Sequence, residues 1–162
     1  MWATISQISN SYIGLTYKPS DLSEEGIIVL RSSNIQNGLI NYHDIVRVKC
    51  DIPEKLLISR NDILICARNG SKKLVGKSAI FDGDTKMTFG AFMAVCKTKL
   101  YSFVHLYMQS SLFFNQLSQT SGTTTINQLT QKALNNFLIP IPPFSEQLKI
   151  VDKYTSIIKL LN

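Results

Sequence analysis

Apolar and polar positions divide the chain into two stretches of different period. Over the first two thirds, short unbroken apolar runs at Ile27 to Leu30, Ile63 to Ala67 and Ala91 to Cys96 are each bounded by Gly, Asn, Asp or charged residues. Runs of this length without polar alternation predict strands covered on both faces. Asp44 to Lys49, Gly76 to Phe81 and Thr4 to Ile8 are further strand candidates.

From Tyr101 the period lengthens. Phe103, Leu106, Tyr107, Phe114 and Leu117 share one face of a helix that Ser121-Gly122 ends. A short helix is predicted from Asn127 to Asn135 with Thr125 as its N-cap. Phe137 to Ile141 reads as extended, because Pro140 disfavours a helical backbone at Ile139. Beyond Pro142-Pro143, the residues Ile150, Tyr154, Ile157 and Leu161 follow the alternating spacing of a coiled-coil seam, which Val151 and Ile158 widen. The alternative is an amphipathic helix packed on its own domain. These elements predict a compact α/β (α+β) domain over residues 1–142 and a projecting helix over residues 143–162.

Composition adds one core and little else: 162 residues, 44% apolar and 17% charged. No long uncharged apolar run or basic-then-apolar start is present, so no membrane span or secretion is expected. Cys50, Cys66 and Cys96 are odd in number and far apart, which predicts free thiols in a reducing cytoplasm. Charge changes the picture more. Between Arg47 and Lys77 stand eight basic residues against three acidic ones, most of the net charge of +6, an excess that suits a polyanion such as DNA.

Three ordered stretches carry a resemblance. The first is Gly14-Leu-Thr-Tyr-Lys-Pro-Ser-Asp21, running into Gly26-Ile-Ile-Val-Leu-Arg-Ser-Ser-Asn-Ile35. The second is Asn61-Asp-Ile-Leu-Ile-Cys-Ala-Arg-Asn-Gly-Ser71, continued by Leu74-Val-Gly-Lys-Ser-Ala79 and Thr88-Phe-Gly-Ala-Phe-Met93. The third is Thr124-Thr-Ile-Asn-Gln-Leu129, followed by Ile139-Pro-Ile-Pro-Pro-Phe-Ser-Glu-Gln147 and an apolar helix. Together they resemble the target-recognition domain of type I restriction-modification specificity subunits. The resemblance implies a non-catalytic module that reads one half of a split DNA target and directs methyltransferase and restriction subunits. It also implies that S-adenosylmethionine and ATP sit only on those partners. A whole specificity subunit of this kind has two domains and two helices, so the chain is expected to be either a half-subunit that pairs with another half through its helix, or a piece of a longer one.

Several residues suit DNA contact. Arg68-Asn-Gly-Ser-Lys-Lys73 lies between two predicted strands: Arg68 can pair with guanine, Asn69 with adenine, Lys72 and Lys73 with phosphates, and Gly70-Ser71 can bring backbone amides close. The alternative is a solvated hairpin tip. Arg31 and Asn34 form a second polar cluster at a strand end, although Asn34 equally suits a turn bonded to its own backbone. Tyr17-Lys18 is a weaker pair in which packing of Tyr17 is preferred. Thr123, Thr124 and Thr125 suit either a phosphate or a helix cap. His43 and His105 have no partners suited to a metal.

Rival classes are a protein-interaction scaffold with an incidental basic surface and a metal-dependent nuclease built on Asp62, Asp82, Asp84 and Lys86. Asp82-Gly-Asp84 equally reads as a turn. Ile141-Pro-Pro-Phe144 echoes an amino-methyltransferase motif but lacks the polar first residue that binds the amine.

Overall fold

The computed structural model describes residues 1–120 and 128–161. In chain order its strands are β1 (Trp2–Thr4), β2 (Asn10–Ile13), β3 (Leu22–Leu30), β4 (Ile35–Gln36), β5 (Leu39–Ile40), β6 (Val46–Val48), β7 (Leu57–Ile58), β8 (Ile63–Cys66), β9 (Ser78–Ile80), β10 (Met87–Phe89), β11 (Met93–Lys97) and β12 (Leu138–Pro140). The helices are α1 (Ile5–Ile8), α2 (Tyr101–Met108), α3 (Ser111–Gln119), α4 (Gln131–Asn136) and α5 (Phe144–Leu161).

A four-stranded sheet of order β2-β11-β8-β9 divides the interior. Along β8, Ile63 and Ile65 enter a core beneath the helices, while Leu64 and Cys66 enter a core shared with the second sheet, β6-β3-β10-β7. β11 splits the same way, Ala94 and Cys96 to one side and Met93 and Val95 to the other. This explains the unbroken apolar runs: with both faces covered, alternation disappears. Ile63, Leu64 and Ile65 are all 0% exposed, and burying each such side chain contributes about 1.5–3 kcal/mol relative to leaving it in water. Cys66 and Cys96 are buried free thiols outside any disulfide, Cys66 Sγ donating to the Arg68 carbonyl at 3.7 Å, and burial pushes both thiols up.

Four local expectations change. Only Thr4 of Thr4 to Ile8 is extended; the rest makes one helical turn, in which the Gln7 side chain accepts from the Thr4 amide at 2.8 Å and Ile5 drops into the core. The run from Ala91 starts as a turn, and β11 begins at Met93. The single helix from Tyr101 is two. Ser110 leaves helical geometry and caps α3 by accepting from the Phe113 amide, so that Phe113 packs edge-on against Tyr107, ring centroids 5.7 Å apart. Among the described residues the next helix is α4, which begins at Gln131 and is capped by Thr130, whose hydroxyl accepts from the Ala133 amide at 3.1 Å. The anticipated cap, Thr125, lies outside the described residues.

Phe137 to Ile141 is extended as expected, with β12 pairing antiparallel to β1. α5 starts at Phe144 and is anchored at its base by Gln147, whose buried amide donates to the Pro142 carbonyl at 2.9 Å, and by Val151 against the helical core. Tyr154 Oη meets the Gln109 side chain at 3.1 Å. Among the described residues, no helix is long and apolar enough to cross a membrane.

Candidate nucleic-acid interface

Strand pairing brings three loops to one end of the sheets. β3 and β10 run parallel with Leu30 opposite Phe89, so the loops that follow them start side by side. β8 and β11 run antiparallel with Cys66 opposite Met93, which sets the loop after β8 against the turn that opens β11. Main-chain bonds then lock the junction. The Gly90 amide donates to the Leu30 carbonyl at 3.0 Å, and the amides of Ala67 and Arg68 both donate to the Phe92 carbonyl at 2.9 Å. Asn69 Nδ2 donates to Ser32 Oγ at 3.0 Å, tying the two predicted polar clusters together. Leu15 bridges Gly90 in parallel and adds the Gly14 to Asp21 stretch to the same corner.

The result is an open cleft of about 990 Å³ lined by Tyr17, Arg31, Arg68, Asn69, Lys77 and Phe92 among others. Arg68 is exposed, and its guanidinium carbon lies 5.2 Å from the centroid of the Phe92 ring. Stacking of this kind orients the planar cation without consuming its donors. No carboxylate among the described residues pairs with Arg68. Arg31 also faces the cleft, but its Nη2 donates to Asp44 Oδ2 at 2.8 Å, which holds the side chain and offsets its charge.

Ser71, Lys72 and Lys73 are exposed on a short turn after Gly70, whose missing side chain would have met nothing within 4 Å. Tyr17 is half-buried against the sheet-to-sheet core, so the preference for packing holds although its side chain also borders the cleft.

One expected base reader is corrected. Asn34 is 0% exposed: its Oδ1 accepts from the Arg31 amide at 2.8 Å, and its Nδ2 donates to the carbonyls of Asn41 and Asp44 at 2.8 and 2.9 Å. It is the turn-forming asparagine of the alternative reading, and it positions Arg31 rather than reaching a base. Asn69 is half-buried in the cleft lining, with Oδ1 accepting from the Ser71 amide at 2.9 Å and Nδ2 donating one hydrogen to Ser32. Each end of the amide keeps one further hydrogen-bonding position, so these two bonds orient the side chain without using up its capacity. Thr123 and Thr124 lie outside the described residues.

The basic segment is also less uniform than its count suggests. Lys77 donates to the Ile35 carbonyl at 2.9 Å, Arg47 to Gly26 at 3.1 Å, and Arg60 grips Asp84 through two bonds of 2.9 and 2.8 Å. Lys77 and Arg47 are thus tied to the main chain, and Arg60 is neutralised by Asp84 in an exposed pair. The same pairings dissolve the nuclease reading: Asp84 belongs to Arg60, and the buried Asp62 carboxylate accepts from Lys97 Nζ and the Ser59 amide. Among the described residues no three acids, histidines or cysteines converge as metal ligands. Ile141 is half-buried against the helical core, and its amide donates to the Met1 carbonyl at 2.8 Å.

Phe92 is the residue that sequence reasoning missed. Inside an apolar run it reads as core, yet it is 59% exposed. The available signal was Gly90, which starts the turn closed by the bond from the Met93 amide to the Gly90 carbonyl at 2.8 Å.

On α5, Ile150, Tyr154, Ile157 and Leu161 are 41%, 40%, 47% and 76% exposed. The stripe is thus mostly uncovered beyond the anchored base.

The family model described as "Type I restriction modification DNA specificity domain" matches residues 3–162. The EcoKI specificity subunit of Escherichia coli K12 is 34% identical over 96% of the chain, and the StySPI specificity subunit of Salmonella potsdam is 31% identical over 97%. The chain spans about a third of the length of these curated relatives, 35% and 36% respectively. In structure it is similar to the HsdS subunit of Thermoanaerobacter tengcongensis, with a TM-score of 0.72, 18% identity, and coverage of 99% of this chain and 37% of that one. A chain from a type I R-M system solved for its complex assembly and conformational transition gives a TM-score of 0.75 at 19% identity, covering 99% of this chain and 38% of that one. With the match running through all three ordered stretches and the fold alike, the chain belongs to the type I restriction modification DNA specificity domain family.

Proposed function

We propose that the chain reads one half of a split double-stranded DNA target, using the cleft where the Arg31, Arg68 and Phe92 loops meet, and hands that position to methyltransferase and restriction subunits. It carries no reaction of its own, and S-adenosylmethionine and ATP belong to those partners. The observation that supports this is the convergence of Arg31, Asn69, Phe92 and a stacked Arg68, with which no carboxylate among the described residues pairs, on one open cleft, with the exposed Ser71 to Lys73 following directly on Gly70 of its lining. Arg68 supplies bidentate donors for a guanine edge, and Lys73 supplies salt-sensitive attraction to phosphates.

Fluorescence titration with random and selected duplexes across a salt series tests the reading. Arg68→Ala is expected to reduce the preference for the selected duplex by about tenfold. Lys73→Ala is expected to weaken both duplexes alike. Absence of binding to any duplex at low salt favours the scaffold reading instead.

The uncovered stripe on α5 is the surface proposed to pair with a second specificity half or a methyltransferase subunit. Solution mass measurement, with and without the methyltransferase subunit, is expected to show association that Ile150→Glu with Ile157→Glu abolishes. A wild-type chain that stays monomeric in both cases sinks this assignment.

A further inference from the structure

Phe92 stands where folding gives it little reason to be. Its neighbours in the turn, Gly90 and Met93, are buried, whereas its own ring is 59% exposed at the edge of the cleft. Its place is nonetheless tightly fixed. The Phe92 carbonyl accepts two amides, the Met93 amide closes the turn on Gly90, and the Gly14 amide donates to the Met93 carbonyl at 3.0 Å. One face of the ring lies against the Arg68 guanidinium. The molecule therefore presents an apolar ring, carried on a fixed main chain, beside a planar cation.

On base edges in the major groove, the guanine acceptors N7 and O6 match an arginine, and the 5-methyl of thymine is the apolar feature. A phenyl ring has neither donor nor acceptor for base edges, so among these features it can select only the methyl. We infer that Phe92 is a specificity-determining residue: its ring aligns Arg68 for a guanine and itself meets the methyl of an adjacent thymine. This rests on the proposed reading that the cleft binds DNA.

Selection of a randomised duplex library by the whole chain, followed by affinity measurements, tests it. The wild-type chain is expected to enrich a site with guanine beside thymine. Phe92→Ala is expected to lose about fourfold of the preference for that thymine, the value of one methyl removed from water, and to keep its preferences elsewhere except at the neighbouring guanine. Deoxyuridine in place of that thymine is expected to weaken the wild-type chain by the same factor and leave Phe92→Ala unaffected. Phe92→Leu keeps an apolar contact without the flat face, so it is expected to retain the thymine preference and lose part of the guanine preference. A thermal melt of each variant checks folding, and the deoxyuridine comparison on the wild-type chain is independent of it.

A wild-type chain that enriches no sequence overturns the DNA-reading assignment and this inference with it. Enrichment that Phe92→Ala leaves unchanged at every position, or wild-type indifference to deoxyuridine, overturns this inference alone.

Discussion

Gly14→Ala is expected to destabilise the fold by about 3 kcal/mol or more, measured by chemical denaturation. A Cβ at Gly14 would lie 2.0 Å from the Gly90 oxygen and 2.4 Å from the Phe89 oxygen. Both obstacles are main chain, and neither can step aside. The Phe89 carbonyl accepts from the Leu15 amide at 2.7 Å, and Gly90 is held to Leu30. Relief would require shearing the segment after β2 away from the turn that carries Phe92, breaking the link between the two sheets. Gly70→Ala is the control, since nothing lies within 4 Å of its Cβ position, and a change within about 0.5 kcal/mol is expected there. Equal, small effects at both positions would refute the steric account.

The second large effect concerns charge. Asp62 is 7% exposed as a residue, and its carboxylate accepts from Lys97 and the Ser59 amide. Lys97 also donates to the Leu57 carbonyl at 2.9 Å, joining the central sheet to β7 of the other. Asp62→Ala leaves a mostly buried ammonium without its counter-charge and a turn amide without its acceptor. Breaking a buried pair from one side costs about 3–5 kcal/mol, and the 24% exposure of the Lys97 side chain lets water offset part of that, so a loss of about 3 kcal/mol is expected. Adding Lys97→Met to Asp62→Ala should recover part of it, because the unpaired charge is then gone. A single-variant loss below about 1 kcal/mol would show that solvent already screens the pair.

Legibility in the sequence followed the physics of each element. The runs through Ile63 to Cys66 and Met93 to Cys96 were readable because burial on both faces leaves one pattern. α5 was readable from its period. β2 and β10 were not, since a strand of three or four residues is specified by its neighbours rather than by its own residues. Thr4 to Ile8 misled because isoleucines favour strands, while the turn there depends on a single Gln7 side chain. In the interface, Arg31 and Arg68 were legible as cations at strand ends. Asn34 and Asn69 were legible only as polar residues in loops, and which of their partners are bases or backbone depends on burial that pairing distant in sequence creates. Phe92 was hidden because exposure cannot be read from hydrophobicity.

The junction beneath the cleft is made almost wholly of main-chain bonds: Gly90 to Leu30, Ala67 and Arg68 to Phe92, Leu15 to Phe89. Any non-proline residue supplies the same amide and carbonyl, so the frame is largely blind to which side chains stand on it. On the proposed reading, exchanging the side chains at 68 and 92 would alter what the cleft meets without altering the main-chain frame that presents them. On that reading the domain is a socket, in which the strands set where contacts fall and a handful of loop positions set what they say.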